Sequence, residues 1–275
     1  MDQITHLRKT ALQIRKRLLQ LIYEAKGGHT GGSLSSVDIL TALYFDVMNI
    51  DHDNPKKEDR DRFILSKGHS VEGYFCVLSA RGFFSDEILS TYGKFKSLLA
   101  GHPTIKVPGV EVNSGALGHG LSVGVGMALA ANRDKKAHRV YVLMGDGEQG
   151  EGSIMEAVNA AGHYKLDNLT AIIDRNRLQI SGNTEDVMAL DSLEKRWASY
   201  GWHTLQINGN NMEEIVKTLH SLPIEMGKPH LIVANTTKGK GVSFIENLAV
   251  WHHKVPNKEE LEKAMTELNN QLEEI

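Results

Sequence analysis

Two oxygen-bearing side chains are placed where they could act together. Gly145-Asp146-Gly147 closes one apolar run, and Asn176 closes another 30 positions after Asp146. If the two runs are neighbouring parallel strands, about 5 Å apart, a carboxylate and an amide oxygen lie side by side at a sheet rim. Such a pair suits Mg²⁺, which takes oxygen ligands and shares its sites with a ligand's phosphates. Gly145 and Gly147 let a ligand come close to the backbone. The same spacing equally suits a plainer arrangement, with Asp146 capping the next helix and Asn176 making a turn.

A second group consists of histidines in Gly-rich or turn-like settings: Gly28-His29-Thr30-Gly31-Gly32, Ser66-Lys67-Gly68-His69, Gly101-His102-Pro103 and Trp251-His252. Imidazole donates or accepts a proton near neutral pH, which fits hydroxyl recognition and proton transfer. His253 competes with His252 for the last place. The other histidines read as surface or packing residues. Thr237-Lys238-Gly239-Lys240-Gly241 has the composition of a nucleotide loop without P-loop spacing.

The elements that must position these residues are legible from periodicity. Leu7, Ala11, Ile14, Leu18, Leu21, Ile22 and Ala25 mark a first helix that stops at Gly27-Gly28. A Gly-rich turn, KGGHTGGSLSS, leads into a helix, SVDILTALYFDVM, that Ser35 or Ser36 could cap. Strands are expected at 62–66, 139–144, 169–174, 203–207 and 230–236. Helices are expected at 120–133, 153–165, 191–200 and 211–222. The charged run 51–62 reads as a solvated loop. Strands alternating with helices imply an α/β fold, a parallel sheet flanked by helices on both faces. In such a sheet ligands bind at the carboxyl ends of the strands, where the polar, Gly-flanked residues fall. The tail from about 257 to 275 is an amphipathic helix with Leu261, Met265, Leu268, Leu272 and Ile275 on one stripe, free to pack on its own domain or on a partner.

Composition removes several classes of function. There are 31 Lys and Arg against 34 Asp and Glu, a formal charge of −3 without a basic tract, which argues against nucleic-acid binding. No apolar run approaches the roughly 20 residues of a membrane span. The charged N-terminus lacks the pattern of a signal peptide. One cysteine, Cys76, offers neither an internal disulfide nor a thiolate metal site and fits the cytoplasm. No GxSxG, HExxH or CxxC pattern is present.

The segment MGDGEQGEGSIMEAVNAAGHYKLDNLTAIIDRNRLQISG resembles the thiamine-diphosphate motif of the transketolase family. That resemblance implies a thiamine diphosphate-binding fold spanning 1–275 as a single domain. It implies that Asp146, Asn176 and the Leu178 main-chain oxygen hold Mg²⁺ or Ca²⁺, which holds the cofactor diphosphate. Gly145 and Gly147 border that site. The four histidine motifs match the family in order and spacing. By resemblance, His69 and His252 contact the diphosphate or the substrate, and His29 and His102 contact substrate hydroxyls. Glu151 matches a glutamate at the subunit contact and joins His29, His102 and His252 in the implied catalytic set. Ser114-Gly115-Ala116-Leu117-Gly118-His119-Gly120 matches a loop that lines the cofactor with backbone at Gly115 and Leu117. Lys238 is placed near the diphosphate, or in solvent.

The family resemblance covers the diphosphate-binding part of a conventional transketolase. The expected protein is therefore the N-terminal subunit of a split transketolase. Its partner would be a C-terminal subunit carrying the pyrimidine-binding and C-terminal domains, in an α2β2 assembly. The expected activity is transfer of a two-carbon glycolaldehyde unit between sugars or sugar phosphates. The alternative is half of a related enzyme acting on a branched or sulfonated ketose, or one like deoxyxylulose-phosphate synthase. Two further readings are a dinucleotide-dependent oxidoreductase using Gly118-His119-Gly120-Leu121-Ser122-Val123-Gly124, which no convincing strand precedes, and a non-catalytic subunit, which the retained Asp146, Asn176 and histidines oppose.

Overall fold

The computed structural model describes residues 2–190 and 192–275. Its strands are β1 (Arg62–Leu65), β2 (Val140–Gly145), β3 (Leu169–Arg175), β4 (Leu178–Gln179), β5 (Gly182–Asn183), β6 (His203–Asn208) and β7 (His230–Asn235). Its α-helices are α1 (Gln3–Ala25), α2 (Thr30–Ser35), α3 (Val37–Ala42), α4 (Val71–Arg81), α5 (Asp86–Leu89), α6 (His119–Arg133), α7 (Gly152–His163), α8 (Thr184–Val187), α9 (Leu193–Ala198), α10 (Met212–His220) and α11 (Lys258–Glu273). β4 and β5 form a small antiparallel hairpin; the other five strands form a parallel sheet in the order β1-β2-β3-β7-β6.

Alternation along β2 and β3 explains the layers. Tyr141, Leu143 and Ile172 face a core built with α1, α3, α4, α10 and α11. Val140, Val142, Met144, Leu169, Ala171 and Ile173 face a second core built with α6, α7 and α9. Burial on both faces is why these strands are almost wholly apolar. In-register pairing sets Gly145 beside Asp174 and Arg175 beside Asn235, so the carboxyl ends of β2, β3 and β7 finish at one rim.

The structure departs from expectation at α2, α3 and α4. The Gly-rich turn contains helix: Thr30–Ser35 is α2, and the next helix is broken at Ser36 and ends in a π turn over Leu43–Val47. Helical glycines cost stability in isolation, but here they allow contact. A Cβ on Gly31 would stand 3.1 Å from Lys238 Cγ and from the Trp251 carbonyl. Neither serine caps α3 with its side chain; Ser35 Oγ instead donates to Asp174 Oδ2 at 2.6 Å. α4 is unforeseen, because apolar residues surround it on most sides and leave little periodicity: Val71, Tyr74, Phe75, Cys76, Val77 and Leu78 are all buried. The tail packs on its own chain. α11 opens with a capping box between Asn257 and Glu260 and buries Leu261, Ala264 and Leu268 in the core shared with α1. Among the described residues no helix is long and apolar enough to cross a membrane.

Candidate active site

A cleft of about 410 Å³ opens at the carboxyl ends of the strands. It is lined by the expected residues His29, His69, Gly115, Leu117, Gly145, Asp146, Gly147, Asn176, Leu178, Lys238 and His252, together with His253. Two expected residues lie outside this lining. His102 is exposed and rests on Gly115, where a Cβ would stand 2.5 Å from its Cδ2. Glu151 is exposed at the N-cap of α7, beside Gly118.

The plainer reading of Asp146 and Asn176 is visible in the geometry. Asp146 Oδ1 accepts from Gly147 N at 2.8 Å and Oδ2 from Arg177 N at 2.6 Å. Asn176 Oδ1 accepts from Leu178 N at 3.2 Å. These are the cap and the turn, yet the same side chains line the cleft. Burial pushes the Asp146 pKa up, and the neighbouring Asp174 adds to the rise. A cation would offset both effects.

Lys238 spans the cleft wall. Its Nζ donates to the Leu178 carbonyl at 3.0 Å and lies 2.9 Å from His252 Nδ1. Burial, then Lys67, bring its pKa down to about 8. The histidine rings cluster: His29 is 5.4 Å from His69, 5.7 Å from His252 and 4.2 Å from His253, centroid to centroid. Burial and then Lys67 drive His69 down to about 2; burial and then Lys238 drive His252 down to about 3. Both rings are therefore neutral hydrogen-bonding groups at neutral pH. His29, His252 and His253 bring ligating atoms within 4.8 Å of one another, but the Lys238 amine on His252 sets a positive charge against a metal there. His252 is half-buried and tied to Lys238, whereas His253 is exposed.

Sequence reasoning passed over three carboxylates that hold this site together. Asp174 lies under the cleft and pairs with Lys67 Nζ, while Thr236 Oγ1 and Ser35 Oγ also donate to it. Glu148 accepts from Ser66 Oγ, from Gly118 N at 2.8 Å and from Gly145 N at 3.0 Å, joining the ends of β1 and β2 to the start of α6. Glu72 accepts from His29 N at 3.1 Å, Ser33 Oγ at 2.8 Å and Tyr92 OH at 2.8 Å. The one available signal was a charged residue inside an otherwise apolar or glycine-flanked run, and solvated residues give that signal too.

Fold and cleft together define a doubly wound α/β protein with its ligand site at the strand carboxyl ends. Residues 7–272 match the family model described as the transketolase, thiamine diphosphate binding domain, and the chain belongs to the transketolase family. It is 56% identical over 273 residues to an apulose-4-phosphate transketolase subunit of Phocaeicola vulgatus, covering 99% of this chain and 97% of that one. It is 40% identical over 271 residues to 6-deoxy-6-sulfo-D-fructose transketolase subunit SqwG of a Clostridium species, covering 98% of both. Against human transketolase it is 36% identical over 273 residues, 99% of this chain but 43% of that protein. The crystal structure of Campylobacter jejuni transketolase superposes with a TM-score of 0.92 at 32% identity, covering 98% of this chain and 43% of that chain. The expected family and fold are therefore found. The relatives that match end to end bear names closer to the alternative, a related ketose, than to a general transketolase.

Proposed function

We propose that this chain is the N-terminal subunit of a transketolase acting on a branched ketose phosphate of the apulose-4-phosphate kind. The observation that carries this reading is 56% identity along nearly the whole length of both chains to a subunit with that named substrate. As a second reading, the general two-carbon transfer between linear sugar phosphates rests on the weaker likeness to whole transketolases.

The cleft fits the cofactor the family implies. Asp146 and Asn176 offer side-chain oxygens and Leu178 a carbonyl, a hard donor set suited to Mg²⁺ or Ca²⁺. Lys238, Lys67 and His69 line the same cleft and offer donors to a diphosphate. His29 Nδ1 is buried without a hydrogen bond, 3.7 Å from Glu72 Oε1. Thiamine diphosphate, when bound, supplies an electron sink for breaking the carbon–carbon bond beside a ketose carbonyl. This chain's own residues anchor and orient. Asp146, Asn176 and Leu178 would hold the metal, Lys238 and His69 the diphosphate, and His29, His252 and the rim residue His102 the sugar hydroxyls. A metal on the Leu178 carbonyl would lie against the Lys238 ammonium that donates to it.

A C-terminal partner subunit supplies the remaining domains, in an α2β2 assembly, and Glu151 is exposed where such a contact could form. The test is reconstitution with the product of the neighbouring reading frame. Two-carbon transfer from apulose 4-phosphate should exceed that from xylulose 5-phosphate and 6-deoxy-6-sulfo-D-fructose, and either chain alone should be inactive. Preference for a linear donor would remove the branched-substrate reading. Activity of this chain by itself would remove the two-subunit one.

A further inference from the structure

Lys238 reaches the cleft from the segment Thr236–Gly241, which follows β7. Its backbone has no regular structure to hold it, and each flanking peptide is held from outside. Gly239 N donates to the Gly31 carbonyl at 3.0 Å and Asn247 N to the Lys238 carbonyl at 2.9 Å. Arg15 Nε donates to the Lys240 carbonyl at 3.0 Å. On the other side, Thr237 N donates to Asn210 Oδ1 at 2.8 Å.

Asn210 is the junction of this system. It lies on the turn after β6, outside the cleft lining. Its Nδ2 donates to Asp38 Oδ2 at 2.9 Å and approaches the Ser35 carbonyl at 3.3 Å. Asp38 is in turn gripped by the fork of Arg15, with Nη1 to Oδ1 at 2.9 Å and Nη2 to Oδ2 at 2.6 Å, both residues being buried. One linked set of hydrogen bonds, Thr237–Asn210–Asp38–Arg15–Lys240, thus closes around Lys238 from both sides. The turn bearing Asn210 is seated closely: Gly209 N donates to the Asn235 carbonyl at 2.8 Å, and a Cβ on Gly209 would stand 2.6 Å from Thr236 Cγ2.

We propose that Asn210 is a positioning residue for Lys238, and that the Asn210–Asp38–Arg15 set fixes the Thr237–Gly241 backbone so that the ammonium is preset in the cleft. A primary amide suits this place because it accepts from a peptide N–H and donates to a carboxylate at once. Aspartate would set a second negative charge beside Asp38, and alanine would leave Thr237 N–H unmet. Asn210 acts through Lys238 and touches nothing in the cleft, so its effect should vanish when Lys238 is gone.

The inference rests on the reading of Lys238 as a diphosphate ligand, and the test separates the two. In the full chain without added ligand, Asn210→Ala should speed amide hydrogen exchange across residues 236–241 and leave β2 and β3 unchanged. Asn210→Ser serves as the second variant should alanine impair folding. Thiamine diphosphate affinity is then measured by calorimetry, with Mg²⁺ and the partner subunit, for wild type, Asn210→Ala, Lys238→Met and the double variant. Asn210→Ala should weaken binding about tenfold, the scale of one lost hydrogen bond, and should add nothing on the Lys238→Met background. Unchanged exchange at 236–241, or losses that simply add, overturns the proposal. A wild type that fails to bind the cofactor sinks the functional reading instead, and the exchange arm still decides this one.

Discussion

The Lys238 ammonium donates to the Leu178 main-chain carbonyl at 3.0 Å, the oxygen that the family resemblance assigns to a metal ion. Ammonium and dication therefore compete for one carbonyl. Their mutual repulsion at this range is large even with generous screening. In the chain without diphosphate, Lys238→Met should tighten Mg²⁺ binding roughly tenfold or more, while weakening thiamine diphosphate. With its pKa at about 8, Lys238 loses its charge as pH rises through that value. Wild-type Mg²⁺ affinity should climb there and the variant's should stay flat. Calorimetry with MgCl₂ between pH 7 and 9 gives the answer, and a weaker Mg²⁺ site in Lys238→Met would remove the competition.

Asp146 serves the fold and the cleft together, and two substitutions separate these roles. Asp146→Ala leaves Gly147 N and Arg177 N without their acceptor. Losing these partners should cost about 1–3 kcal/mol in urea unfolding. Asp146→Asn keeps one acceptor oxygen but turns an NH2 toward the other N–H, so it should recover only part of that loss. Both should abolish Mg²⁺-dependent binding of thiamine diphosphate, because the anionic oxygen is gone. Retained binding by Asp146→Asn would leave this residue as a cap and nothing more.

What could be read in the sequence follows from how far apart the interacting residues lie. The strands β2 and β3 announce themselves because burial on both faces makes them uniformly apolar, and their tips then locate Asp146 and Asn176. α1 and α11 show their stripes because each buries one face only. α4 does not, since it is buried nearly all round. His29, His69 and His102 stand out because each follows a glycine. Glu72, Glu148 and Asp174 do not, since their partners lie elsewhere in the chain: Glu148 meets Ser66 across 82 positions and Asp174 meets Lys67 across 107. No local pattern encodes such pairings. Asn210 escaped for the same reason, its partners Asp38 and Thr237 being 172 and 27 positions away.

Glu148 makes the cost of a lost long-range acceptor measurable. It is 1% exposed, and Ser66 Oγ, Gly118 N and Gly145 N all donate to it. Glu148→Ala strands these donors in a dry setting and should destabilise the chain by about 2–4 kcal/mol. Glu148→Gln fills the same volume but replaces one acceptor oxygen with a donor, so it should recover part of the loss. Chemical denaturation of the three proteins checks the ranking. If alanine matched wild type, Glu148 would not be what ties the β1 and β2 tips to α6.

Acid should unfold this protein through histidines whose protonation the fold disfavours. His69, His252 and His230 are driven down to about 2, 3 and 4, in each case first by burial, against about 6.5 in an unfolded chain. His230 Nε2 accepts from Ile224 N at 3.0 Å and Glu225 N at 3.3 Å, a role open only to the unprotonated ring. Below pH 6.5 the unfolded chain takes up protons that these rings refuse while folded. The unfolded state then binds more protons, so stability falls as pH falls. The contribution is fully present above about 6.5 and is lost progressively from there toward pH 4 and below. His69→Asn and His252→Asn should each reduce the slope of melting temperature against pH between 6.5 and 4, by up to one proton's worth. Melting curves at half-unit intervals test this, and equal slopes in the wild type and both variants would show that His69 and His252 are not what makes the fold acid-sensitive.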